Sequence, residues 1–336
     1  MVTTCMLIFA GALVLVAGAT PLMRRLAPRL GLVDQPDTRK VHLNPTPLMG
    51  GVALYAGIIL ALLIFQERYR VDQAASILIG ASWMSFLGVL DDRWGLRPMI
   101  KLAGQVIAAV FLVLTGVQVS FLPYEALNVA VTIFWVVGIT NAVNLLDNMD
   151  GLSSGVVATA AAYFLLMAMM SRQYLVGALA AALLGACLGF LLYNFNPASI
   201  FMGDAGSLFL GFMLAAVGLK LRFPAHSAFL TWMVPVMALG LPILDTTLVF
   251  ISRLRRGVNP LTTPGKDHLS HRLVAMGFTP KEAVLILYVV AEAFGLLAVM
   301  LTLADVREGY IFGGAVALVC LYVIWRLEFM NRRPQA

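Results

Sequence analysis

Apolar residues fall into eleven long runs, at about 2–23, 48–65, 74–90, 98–117, 127–140, 152–170, 174–193, 205–219, 228–251, 282–303 and 309–325, each set off by a polar segment. A helix needs roughly 20 mostly apolar residues to cross a bilayer. The runs therefore predict an all-α fold: a polytopic integral membrane helix bundle of about eleven transmembrane helices, forming one domain over residues 1–336. In the first run, Ala17, Gly18 and Ala19 imitate a signal-peptidase site, but no basic residue precedes the run, and Arg24 and Arg25 follow it. That order is the reverse of a signal peptide, so the run reads as a retained first helix.

Composition supports the membrane reading. Of 336 residues, 61% are hydrophobic and 12% charged, and the mean hydropathy is +0.91. Soluble domains carry about a quarter charged and about half apolar residues, and lipid can cover apolar surface that a soluble core cannot hide. The net charge of +6 would suit nucleic acid in a soluble protein; in a membrane protein it orients helices, and no nucleic-acid partner is expected. Cys5, Cys187 and Cys320 lie far apart inside apolar runs, which is neither a disulfide framework nor a metal motif.

Consecutive loops alternate sides. One side holds residues 24–47, 91–97, 141–151, 194–204, 252–281 and the tail from 326. Seventeen of the 23 Lys and Arg residues fall there or at adjoining helix ends, leaving Arg68, Arg70, Arg172, Lys220, Arg222 and Arg307 opposite. The positive-inside rule makes the basic side cytoplasmic, with the N-terminus outside and the C-terminus inside. Most carboxylates share that side, while Glu292 is left near the middle of the tenth run. A transporter would place polar groups near the midplane and show a repeat. Here they gather at one interface, which favours chemistry between a cytosolic reactant and a lipid.

Five local patterns carry that chemistry. The first loop is rich in Pro and Gly and offers Arg39, Lys40 and His42 to an anion before Pro47, Gly50 and Gly51. Asp91 and Asp92 close the third run, as solvated helix-end acids or as cation ligands, with Lys101 nine residues further on. Asn141, Asn144, Asp147 and Asp150 recur at every third position up to Gly151. On an ideal helix each such step drifts about 60°, so the four converge only where the helix tightens or breaks. Asn194 and Asn196 precede Phe201, Gly203, Asp204, Gly206 and Ser207, with Asp204 where a helix begins, as a cap or as a Mg²⁺ ligand. The longest basic loop holds His268, His271 and Arg272. Two His suit zinc, but no third ligand stands near, and an anion site fits them better.

Together these motifs resemble the polyprenyl-phosphate N-acetylhexosamine-1-phosphate transferases, of the glycosyltransferase family 4 type, over nearly the whole chain. The resemblance implies a single transmembrane transferase domain in the cell membrane, with its active site on the cytoplasmic face. The implied donor is a UDP-N-acetylhexosamine and the acceptor undecaprenyl phosphate, giving UMP and a lipid-diphosphate sugar for cell-envelope glycan synthesis. It implies Mg²⁺, with Mn²⁺ as a substitute, and allows a homodimer. Carried onto this chain, Asp204 and Asn144 would hold the metal, and Asn194, Phe201, Asn141 and Lys40 would bind the nucleotide. Asp91, Asp92, Lys101, Asp147, Asp150, His268, His271 and Arg272 would form the catalytic set. Ser270 stands where the pattern usually has histidine, and the branch using a MurNAc-pentapeptide donor shows consecutive histidines there. The resemblance is therefore closer to the branch using UDP-GlcNAc.

Overall fold

The computed structural model describes residues 1–35, 45–65, 71–223, 227–260, 262–263 and 265–330. Lys40, with Arg39 and His42, lies outside the described residues. The chain folds into helices α1 (Val2–Leu26), α2 (Gly50–Ile64), α3 (Val71–Trp94), α4 (Pro98–Leu114), α5 (Glu125–Leu146), α6 (Leu152–Met170) and α7 (Tyr174–Asn194). There follow α8 (Gly203–Lys220), α9 (Ala228–Ala238), α10 (Gly240–Arg255), the short α11 (Leu269–Ala275), α12 (Pro280–Leu301) and α13 (Val306–Trp325). Val33–Asp34 (β1) and Thr46–Pro47 (β2) pair as a two-stranded antiparallel ribbon at the mouth of the first loop. The chain is a multi-pass membrane protein, and among the described residues its regular structure is helical apart from this ribbon.

Among the described residues, eight helices are long and apolar enough to span a bilayer, and α9 with α10 makes a ninth if the bent pair is one span. This is fewer than the eleven expected from the apolar runs, for two physical reasons. The run 228–251 breaks between Ala238 and Gly240 and turns by 76°; Pro235 and Pro242 flank the break and each lacks the amide that a continuous helix needs. The runs 48–65 and 98–117 form helices of only 15 and 17 residues. At about 1.5 Å per residue these reach roughly 22 and 26 Å, short of a hydrocarbon core of about 30 Å.

Helix α8 lies at the centre, packed by α3, α5, α2, α6 and α7, and nearly every side chain from Ala205 to Leu219 is buried. Its N-terminus is reached closely by two neighbours. A Cβ on Gly51 would lie 2.1 Å from the Gly206 amide nitrogen, and one on Gly88 would lie 2.3 Å from the Asp204 carbonyl. Only glycine lets α2 and α3 approach that end so nearly. Because the helices run up and down, the ends of α3, α5 and α7 and the starts of α4, α6 and α8 gather at one end of the bundle.

Candidate active site

A cavity of about 370 Å³ opens at that end. Its wall includes Asp34, Asp92, Asp147, Asn148, Asp150, Asn194, Phe201, Asp204 and His271. Four of the sequence-predicted acids thus face one space although 112 residues separate the first from the last.

Each wall residue is placed by a local device. Asp92, in the last turn of α3, accepts the backbone amides of Asp204 at 2.8 Å and Ala205 at 3.0 Å. It thereby caps the amide-rich start of α8, where negative charge is favoured. Asp91 accepts the Leu96 amide at 2.7 Å as the chain turns through Gly95, whose φ of 62° suits a residue without Cβ. Pro98 opens α4, and Lys101 in its first turn reaches back to Asp91 Oδ2 at 2.9 Å, to Asn144 Oδ1 at 3.2 Å, and to Asp204 Oδ2. Asn144 donates to Asp204 Oδ1 at 2.6 Å and to Ser207 Oγ at 2.8 Å. The ends of α3, α4, α5 and α8 are therefore tied through one ammonium, two carboxylates and one carboxamide.

Helix α5 ends at Asp147, and the chain turns through Gly151 at φ 75° into α6. That break turns Asp147 and Asp150 into the cavity wall, as the three-residue spacing required. Asp150 accepts Asn196 Nδ2 at 3.1 Å and the Ala198 amide at 2.9 Å, pinning the loop after α7. Asp147 is different. Burial, and after it the carboxylates of Asp204, Asp92 and Asp150, push its carboxyl well above the usual range.

The remaining predicted residues divide. Asn194 lines the cavity, but its amide serves the protein: Oδ1 accepts from Gly151 N and Ser154 Oγ, and Nδ2 donates to the Ile200 carbonyl. Phe201 is held by its backbone against the Pro47–Gly50 stretch, its N–H donating to Pro47 O at 2.9 Å and its carbonyl accepting from Gly50 N at 2.9 Å. Asn141 lies away from the wall, paired with the Gln105 side chain. His268 Nδ1 meets the fully buried Asp245 at 2.7 Å and does not line the cavity, whereas His271 does. Burial and the neighbouring His268 and Lys266 push His271 down, outweighing Asp245 and Asp267. Arg272 turns to Glu328, the Asp267 and Leu327 carbonyls and Ser252 instead of the cavity.

Sequence reasoning gives no site role to Gln105, Ser207, Asn148, Asp245 or Tyr288. Asp245 had a signal, an acid inside the apolar run 228–251. Tyr288, whose hydroxyl donates to the Gly151 carbonyl, sits in an apolar run and had none.

Among the described residues no three His, Cys, Asp or Glu side chains form a ready-made metal cage. The donor set still suits a hard cation. Asp92, Asp147, Asp150 and Asp204 face one cavity, and Lys101 pairs with Asp204 of that set and with Asp91 beside it. Mg²⁺ commonly takes one or two carboxylates, keeps several waters and uses substrate phosphates for the rest, so an incomplete cage fits it.

Residues 74–222 match the family described as glycosyl transferase family 4. The chain is 35% identical to the probable undecaprenyl-phosphate N-acetylglucosaminyl 1-phosphate transferase of Bacillus subtilis, covering 89% of this chain and 85% of that protein. It is 34% identical to the decaprenyl-phosphate N-acetylglucosaminephosphotransferase of Mycolicibacterium smegmatis, over 94% of this chain and 86% of the other. It is 28% identical to the undecaprenyl-phosphate alpha-N-acetylglucosaminyl 1-phosphate transferase of Escherichia coli, over 82% and 78%.

Proposed function

The chain belongs to glycosyl transferase family 4, and on that premise we propose that it transfers GlcNAc-1-phosphate from UDP-GlcNAc to a polyprenyl phosphate, undecaprenyl phosphate in the first instance. An oxygen of the lipid phosphate attacks the β-phosphorus of the donor. The bond from that phosphorus to the bridging oxygen breaks, UMP leaves with that oxygen, and a polyprenyl-diphosphate-GlcNAc remains. Phosphoryl transfer of this kind asks a protein mainly for alignment and for neutralisation of anionic oxygens.

The observation that carries the proposal is the wall of five carboxylates, Asp34 with Asp92, Asp147, Asp150 and Asp204, around a cavity at the end of an apolar bundle. Such a wall repels a diphosphate unless a cation stands between them. Members of the family use Mg²⁺. Asp204 and Asn144 would hold it here, and when bound it supplies charge neutralisation for the diphosphate. Lys101, already bonded to both, pairs with phosphate once it is drawn from Asp204. Asp92 and Asp150 act by placing backbone: the former fixes the start of α8, the latter the loop leading to Phe201. Phe201 stacks on the uracil ring. Asn194 shapes that end of the pocket through the protein bonds it makes. His271 faces the sugar-phosphate end.

We place the cavity on the cytoplasmic side by the excess of Lys and Arg there; α2 and α4, short for a full span, complete eleven crossings with the bent α9–α10 pair where the bilayer thins around them. Cysteines replacing Asn148 and Lys266 are expected to label only from the cytoplasm, and one replacing Arg70 only from outside. Labelling of the first two from outside would invert the placement. The activity is tested by incubating purified protein with undecaprenyl phosphate, Mg²⁺ and either UDP-GlcNAc or UDP-MurNAc-pentapeptide. UMP and a glycolipid from UDP-GlcNAc are expected; preference for the second donor would move the chain to the other branch.

A further inference from the structure

Neighbouring residues of α11, His271 and Arg272, are put to different uses. His271 lines the cavity, while the Arg272 guanidinium is consumed elsewhere. Its Nε donates to the Asp267 carbonyl at 2.9 Å, Nη1 to the Leu327 carbonyl at 3.1 Å, and Nη2 to Ser252 Oγ at 3.3 Å and to Glu328 Oε1. Glu328 lies in the turn Arg326–Met330 that follows α13, and only 4% of it is exposed. Its other oxygen, Oε2, meets Arg255 Nε at 3.2 Å, at the end of α10. Arg255 also lies over the Phe329 ring, 5.2 Å from its centroid. A buried carboxylate is costly unless paired and hydrogen-bonded, and here each oxygen has an arginine from a different segment.

We propose that Glu328 is a positioning residue of the transfer site, clasping α11 to the C-terminal turn so that His271 stays in the cavity wall; this rests on the transferase reading above. A helix of seven residues does not hold itself together in water, so tethers set its place. Asp245 fixes its start by accepting the Leu269 amide and pairing with His268, both at 2.7 Å. Ser270 Oγ donates to Asn148 Oδ1 at 2.7 Å, on the cavity side. Glu328, through Arg272, holds the side away from the cavity. Loosening it moves a wall that carries His271 and contacts Asn148, and leaves Asn194, at the end of α7, and Phe201, in the connection to α8, where they are. The clasp therefore governs transfer more than nucleotide binding.

The test compares full-length wild type, Glu328→Gln and Arg255→Gln in detergent, with active sites counted by UMP binding. Glu328→Gln is expected to lower kcat for UDP-GlcNAc about tenfold or more, the size of a lost charge-assisted contact, while UMP affinity stays within about twofold. Arg255 is 46% exposed in its side chain and Glu328 keeps Arg272 on its other oxygen, so Arg255→Gln folds and carries the test if Glu328→Gln is not recovered; its expected loss of kcat is about threefold. Unchanged kcat in the folded variants overturns the clasp. So does a fall in UMP affinity that matches the fall in kcat, because a merely structural staple would lower both. Absence of transfer by the wild type would sink the underlying reading instead.

Discussion

Helices α8 and α13 are both apolar segments long enough to cross a bilayer, of 18 and 20 residues, yet they meet opposite surroundings. Of the spanning stretch of α8, 89% is buried in protein; of that of α13, 11%. Small residues explain the first. Gly203, Ala205, Gly206, Gly211, Ala215, Ala216 and Gly218 let neighbouring backbones close in, as helix packing in lipid requires. Ile311, Leu318, Val319, Leu321 and Tyr322 of α13 stand exposed, as lipid-facing residues should. The difference teaches where chemistry can be built. Asp204 opens the helix that the protein surrounds on all sides, and side chains of α3, α4 and α5 therefore meet at it. A helix facing lipid offers no such enclosure.

The comparison breaks most sharply at the glycine seam. Gly51→Val would drive a side chain into the start of α8, where even a Cβ meets the Gly206 amide nitrogen at 2.1 Å. It is expected to cost about 3 kcal/mol, read as a lower melting temperature and poor recovery of folded protein from the membrane.

Next in size is Asp204→Asn. The protein should fold, because the Asp92 cap on α8 remains, but its turnover should fall by roughly 10² to 10³. Chelation of Mg²⁺ should stop wild-type transfer as well. Wild-type rates in this variant at limiting Mg²⁺ would remove Asp204 from the metal role.

Asp147→Asn should separate activity from stability. The folded protein holds this carboxyl well above its ordinary range, so its ionisation favours the unfolded chain. Its stabilising share is present below the unfolded value and lost as pH rises through the folded one. In chelator at neutral pH the variant should be more stable than wild type by about 1 kcal/mol, and transfer should still fall. A melting temperature that drops with the substitution would show that the carboxylate is not under strain.

The smallest effect belongs to α13. A Cβ on Gly314 meets nothing within 4 Å, so Gly314→Val is expected to change stability by no more than about 0.5 kcal/mol and to leave turnover alone. A loss comparable to that of Gly51→Val would mean that α13 is covered.

Much of this was legible in the residues, and the limits have physical causes. Helix positions followed from apolar runs, and the gathering of Asp92, Asp147, Asp150 and Asp204 at one end followed from alternation of sides. Run length alone could not show that α2 and α4 fall short of a full span, nor that Pro235 and Pro242 flank a 76° bend. Side-chain direction was also hidden. Asn141 and Asn144 share one motif, yet Gln105 takes the first and Asp204 the second. His268 and His271 were read as a pair, but Asp245, from a helix 23 residues earlier, claims only the former. Such partners lie far apart in the chain, and no local spacing records them.

The central claim is that the carboxylate-lined cavity moves a sugar together with its phosphate. UDP-GlcNAc radiolabelled at the β-phosphorus, incubated with the purified protein, undecaprenyl phosphate and Mg²⁺, tests it directly. The label is expected in the lipid product, with unlabelled UMP released in equal amount. Label remaining in UDP, with a sugar on the lipid, would mean that the bond cut lies on the other side of that phosphorus, and the account would be wrong.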